Sequence, residues 1–440
     1  MNLVYGIKDK PKFSQLIIFA FQQVLAILAA TIAVPAIVGN GMSASAALFG
    51  AGVGTLVYQL FTKFRSPVFL GSSFAFIGSM VAAFAGAVSA SAGFAGLIIG
   101  AVFAGLVYVV IALIVKAAGV KWIDKLMPPV VIGPTVALIG LSLAGAAIND
   151  VFSYGPQDGN GSFIMTGNIW ASFVCALVTF MVVVIASTYG KKMVKLVPFI
   201  IGILAGYVVA AIFTVCGVPV IDFSLFENLK IVALPQFTFI DAFKGVKEID
   251  GSYLATVAVA YIPVAFVVFA EHIADHKNLS TIIDQNLIED PGLHRTLLGD
   301  GVGSIAGAFF GGCPNTTYGE SVGCVAITRN ASVITVTVAA VMSIIISFFG
   351  PFVAFLDSIP GCVMGGVCIT LYGFIAVSGL KMIQKVDLGQ NKNLFVVASI
   401  LIPGIGGMAM AIGKVTITAI AGSLILGIIT NIILSKAKEE

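Results

Sequence analysis

The strongest constraint on this chain is where its charges are missing. No Asp, Glu, Lys or Arg occurs between Lys12 and Lys63, and none between Arg65 and Lys116. A helix crosses the hydrocarbon core of a bilayer with about 20 apolar residues. Each charge-free run therefore holds two crossings, split by Gly/Ser-bearing turns near 39–43 and 87–93. The whole chain is 59% hydrophobic and only 10% charged, against about 25% charged in a soluble domain. This excludes soluble classes such as a dehydrogenase or a nucleic-acid binder. The net charge of +3 says little about partners. The six cysteines form no CxxC pair and read as buried small hydrophobes. Lys8, Lys10 and Lys12 precede a long apolar run without an A-x-A site, which predicts a first transmembrane helix rather than a removed signal peptide.

Further crossings are expected at 126–147, 169–189, 196–217, 252–275, 297–311, 312–328, 332–350, 359–380, 393–411 and 416–435. The total is about 14 segments at bilayer length. With the N-terminus inside and strict alternation, 19 of the 23 Lys and Arg fall on the inner side and 4 (Lys230, Lys244, Lys247 and Lys414) outside. Such a bias supports the alternation. The longest non-apolar stretches, 148–168 and 219–251, then read as outer connecting loops.

The chain also repeats itself. LMPPVVIGPTVALIG from Leu126 resembles SIPGCVMGGVCITLYG from Ser358, and FLGSSFAFIG from Phe69 parallels GGCPNTTYGESVG from Gly311. Seven crossings per half is an odd number, so the second half enters the membrane inverted. The stretch 309–329, FFGGCPNTTYGESVGCVAITR, places Gly, Pro, Asn, Thr and a carboxylate inside membrane-grade sequence. Irregular backbone at that depth survives only where protein or a cavity satisfies it. Interrupted segments at matching places in two inverted halves point to a site at the bilayer midplane.

Two carboxylates, Glu271 and Glu320, lie deep in apolar sequence. Burial penalises the ionised form of a carboxyl group, which suits proton coupling or hydrogen bonding to a ligand's N–H groups. Half-helices are expected to begin near Ser73 and Glu320, with unpartnered N–H groups at their starts. Backbone donors beside carboxylates match a flat heterocycle with alternating C=O and N–H edges, and Phe74 and Tyr318 could wall its ring. In Glu271, His272, Asp275 and His276 the i, i+4 spacing makes two stripes on one helix. No matching ligands elsewhere favour a metal site. No HExxH, GxSxG or paired-Asp motif suggests an enzyme.

At these residues the sequence resembles the nucleobase–ascorbate transporter family, and within it the bacterial uracil permeases. The resemblance rests on GSSFAFI (71–77), AEH (270–272), EDPGLHR (289–295), PNTTYGE (314–320) and AITR (326–329), and covers essentially the whole chain. It implies an all-α membrane protein of 14 segments in two inverted seven-segment repeats, with short broken segments 3 and 10. It divides the chain into a core domain (1–125 and 251–357) and a gate domain (126–250 and 358–440). It also implies uptake of uracil by proton symport in the cell (inner) membrane, with both termini cytoplasmic, no cofactor beyond the proton gradient, and dimerisation through the gate. Carried over by position, Glu271 and Glu320 contact the base through its N–H groups. The backbones of Phe74 and Gly319 donate to its carbonyls, with Ala30, Ser73 and Tyr318 nearby. Glu271, Asp275 and Glu320 are the candidates for proton coupling. Three positions depart from the family pattern. Gln22-Gln23 stands where Gln-His is common, Asp275 where uracil permeases carry His, and Ser321 where Asn is usual.

Overall fold

The computed structural model describes residues 3–119, 122, 128–227, 229–412 and 415–435. The 125/126 domain boundary, the first residues of the segment expected at 126, and Lys414, Lys436 and Lys438 lie outside the described residues. Among the described residues, eight helices are long and apolar enough to cross a bilayer by length and composition. The first half contains α1 (Phe13–Val38), α2 (Ala44–Phe61), α3 (Ile77–Ala85), α4 (Ala90–Ala118), α5 (Pro129–Ser142), α6 (Gly167–Tyr189) and α7 (Pro198–Val215). The second half contains α8 (Gly251–Ile283), α9 (Leu293–Gly311), α10 (Gly319–Thr328), α11 (Val333–Ile346), α12 (Gly361–Ile383), α13 (Asn391–Ile405) and α14 (Ala419–Leu434). Short helices fill some of the connections. The stretch 219–251, expected as loop, holds one at Thr238–Gly245 that packs on α4, where Gly245 sits against the backbone of Ser91 and Ala92.

The repeat is visible in the helix starts. Pro128 caps α5 and Pro360 caps α12, both extended and each followed by an apolar helix. Proline suits these places because a first-turn N–H has no helical partner to lose. Two expected segments end differently. Those at 393–411 and 416–435 give way between α13 and α14 to an antiparallel hairpin, Met410–Ile412 with Val415–Ile417. Val415, Thr416 and Ile417 are all β-branched and suit a strand, and Gly406 and Gly407 end α13 before it. The segment at 332–350 ends as α11 at Ile346, and a separate helix, Gly350–Asp357, follows. Of the cysteines, Cys216 is exposed and the other five are buried.

Two packing groups emerge. α2 packs on α9, α4 on α8 and α9, and α1 on α11; separately, α5 packs on α12 and α13, and α6 on α7 and α12. Glycines allow the closest approaches. A Cβ at Gly50 would lie 2.5 Å from the Gly307 carbonyl oxygen, and the Asn315 side chain, wedged against Gly54 and Gly307, donates to the Gly50 carbonyl at 2.9 Å. Small residues are how membrane helices bring backbones together. At one end of the molecule the N-terminal segment lies along the end of α10: the Val4 N–H donates to Arg329 O and the Ala331 N–H to Tyr5 O. Arg65 pairs with Asp290 at 2.6 Å on the surface.

Candidate functional site

Both expected chain breaks exist, and they are bonded to each other. β1 (Leu70–Ser72) and β2 (Asn315–Thr317) pair antiparallel, with Leu70 opposite Thr317 and Ser72 opposite Asn315. The Ser73 N–H extends the ladder to Pro314 O at 2.9 Å. Strand pairing satisfies backbone groups that a lipid environment would leave bare. After β1 a 3-10 turn, Phe74–Phe76, leads into α3; after β2 the chain enters α10 at Gly319. Ser73 and Tyr318 occupy the N-cap positions, both extended, and neither offers a side-chain cap. The two helices therefore begin at the same place, each with first-turn N–H groups outside its own helical ladder.

A cavity of about 240 Å³ opens where they meet. Ser73, Phe74, Glu271, Asp275, Tyr318, Gly319 and Glu320 all stand on its wall. Ala30 does not; it is buried in α1, which passes behind Tyr318 and brings the neighbouring Thr31 to that hydroxyl. The opposite wall is apolar, from Val136 and Ile139 of α5 and Leu371, Phe374, Ile375 and Met382 of α12, with Ser378 as its polar member. Among the described residues no Lys, Arg or His lines the cavity.

The polar side is held from behind. Tyr318 donates its hydroxyl to Ser72 O at 2.5 Å, and its ring covers Gly71 so closely that any Cβ there would collide with it. Thr317 donates to Asp275 at 3.0 Å. Gln23 donates to the Ser321 hydroxyl at 2.5 Å, and that hydroxyl also accepts the Phe69 N–H at 3.0 Å. Two of the three departures from the family pattern, Gln23 and Ser321, thus touch each other. Phe74 meets Tyr372 of α12 edge to face, with ring centroids 6.2 Å apart.

The Glu271–His276 run splits by face. Glu271 and Asp275 look into the cavity, while His272 and His276 are fully buried on the far side of α8. His272 bonds Asp300 at 2.8 Å and Thr296 at 2.9 Å; His276 bonds Tyr58 at 2.7 Å. Their partners are side chains of α2 and α9, and among the described residues no three His, Cys, Asp or Glu groups could hold a metal ion. Sequence reasoning missed Asp300. It sits in LLGDGVGSIAG, a carboxylate inside the segment expected at 297–311, and that position was the available signal. It also missed Thr317 as the donor to Asp275.

Comparison with known proteins identifies the family and the fold. A family model described as "Permease family" matches residues 14–413. The uracil permease of Bacillus caldolyticus is 40% identical over 98% of this chain and 94% of its own length. That of Bacillus subtilis (strain 168) is 38% identical over 99% and 96%. Among solved structures, the transmembrane domain of a cyanobacterium bicarbonate transporter, BicA, superposes with a TM-score of 0.67 at 17% identity. That match covers 97% of this chain and all of the other, and it shows a shared fold.

Proposed function

The chain belongs to this permease family, the one that takes in the nucleobase transporters, and from that premise we propose that it imports a nucleobase, uracil foremost, by proton symport with alternating access. One observation carries the reading. Two half-helix starts and three carboxyl groups, Glu271, Asp275 and Glu320, share one cavity that, among the described residues, no Lys, Arg or His lines. The Phe74 and Gly319 N–H groups donate to the carbonyl oxygens of the base. Glu271 and Glu320 accept its ring N–H groups. Such a site rejects a ligand whose partners it lacks, because unpaired buried polar groups are costly.

The same carboxyls carry the proton. Three negative charges facing one cavity that no basic side chain lines among the described residues repel one another, so a proton shared among Glu271, Asp275 and Glu320 relieves the repulsion. α1–α4 with α8–α11 act as the core that holds the base, and α5–α7 with α12–α14 as the gate that moves against it. The lysine-rich face and both termini lie in the cytoplasm, the protein spans the cell (inner) membrane, and copies pair through the gate. A purine such as xanthine is the second reading, favoured by Asp275 as a third acceptor. An anion substrate is disfavoured by the same carboxyls.

Thermal stabilisation of purified protein by uracil, thymine, xanthine and hypoxanthine in parallel tests this, because a ligand of the native state raises its apparent stability by mass action. Uracil should give the largest shift. Uracil uptake into proteoliposomes should follow an imposed proton gradient. Uptake that ignores the gradient and survives Glu271→Gln would overturn the mechanism.

A further inference from the structure

A second crevice, of about 200 Å³, lies at the opposite end of the same seam between the two packing groups. Its walls are Ile32 and Ala36 from the last turns of α1, Met42 from the turn after it, Ile359 just before α12, and Met364 from the first turn of α12. Asp357, exposed at the rim, is its only ionisable side chain among the described residues. That carboxylate has no hydrogen-bond or ion-pair partner among them. The turn carrying it is fixed, since the Ser358 hydroxyl bonds Tyr207 at 2.8 Å and Phe355 O at 2.8 Å.

The two cavities share one stripe of α12. Met364 stands in the crevice; Leu371, Ile375, Ser378 and Met382 stand in the main cavity. Their spacing puts them on one helical face, with Met364 and Met382 about 27 Å apart along the axis. Between them Val367, Cys368 and Leu371 are buried. The main cavity reaches the Met382 end, where Ser378 is exposed. The crevice therefore lies in line with the site along α12, separated from it by one buried stretch of that helix.

We propose that this crevice is an outer-side binding site for the transported base, with Asp357 accepting an N–H from a neutral heterocycle held between apolar walls. It rests on the nucleobase reading above. An acceptor without a partner, at the mouth of an apolar slot on the seam, matches the chemistry of the inner site: a carboxylate for N–H groups and hydrocarbon for ring faces. Such a station raises the local concentration of the base where the outer path opens.

The test separates the two sides. Labelled uracil uptake is measured from outside in cells, and uracil binding on purified protein, for wild type, Asp357→Asn and Ala36→Phe. Loss of one charged acceptor raises the uptake KM roughly tenfold in Asp357→Asn, and the ring of Ala36→Phe, filling the crevice from an exposed helix position, does the same. The dissociation constant of the purified proteins stays at the wild-type value in both. Wild-type uptake KM in both variants overturns the outer site, as does an equal weakening of uptake and binding. Failure of wild type to take up or bind uracil overturns the nucleobase reading instead.

Discussion

The two chain breaks are matched in backbone and opposite in chemistry. Each is a three-residue strand followed by a helix start without a side-chain cap. The first, Leu70–Phe76, carries no ionisable group, and its side chains mostly face the packed interior. The second, Asn315–Glu320, supplies the polar side chains of the pair that reach outward: Asn315 to Gly50, Thr317 to Asp275, Tyr318 to Ser72, and Glu320 into the cavity. Inversion of a repeat copies the backbone and leaves the side chains free to specialise. One half supplies a frame of amide groups, and the other supplies the acid and the braces.

Substitutions test that division. The largest effect is expected at the acids: Glu320→Ala, or Glu271→Gln on the helix opposite, should abolish uptake and weaken uracil binding ten- to a hundredfold, the scale of a lost hydrogen bond to a charged group. Binding by calorimetry checks it, and wild-type affinity in both variants would remove the acids from the site. Next is Gly71→Val, which forces a branched side chain into the Tyr318 ring and should cost about 1–3 kcal/mol of stability as overpacking, read as a lower melting temperature. A normal melting temperature would show that the strands are not held as tightly as described. Tyr318→Phe deletes one brace across the breaks and should cost about 1 kcal/mol, with uracil affinity falling less than in Glu320→Ala. The smallest effect is expected at Ser73→Ala, within about 0.5 kcal/mol, because the Ser73 side chain caps nothing. A large loss there would show that the first break contributes more than backbone.

Much of this was legible in the sequence, for identifiable reasons. Charge-free runs forced the apolar helices, and the Pro-Asn-Thr-Thr interruption at the end of an apolar segment forced the break at 314–320. The convergence of Ser73 with Glu320 followed from the spacing of the two halves. Other features depend on which way a side chain turns, which periodicity alone does not fix. Ala30 is buried in α1, which stands behind Tyr318 and, among the described residues, gives no side chain to the cavity wall. Asp300 was hidden among glycines of an apolar segment and emerged only as the partner of His272. The Gln23–Ser321 bond joins residues 298 positions apart, and no local pattern reports such a pair. The hairpin before α14 takes up the end of the segment expected at 393–411 and the start of the one expected at 416–435, stretches that hydropathy alone reads as helix.

The pairing of β1 with β2 also bears on how the protein is made. Leu70 leaves the ribosome long before its partner Thr317 exists. Until then the Thr55 hydroxyl of α2 serves only the Leu70 N–H and carbonyl, and the amide groups that follow lack their strand partner, which is expensive at membrane depth. The early helices must therefore wait, shielded by one another or by the insertion machinery, for a strand encoded in the other half of the gene. Neither half alone can contain the site, and two separately expressed halves should recover it only when they meet in the same bilayer.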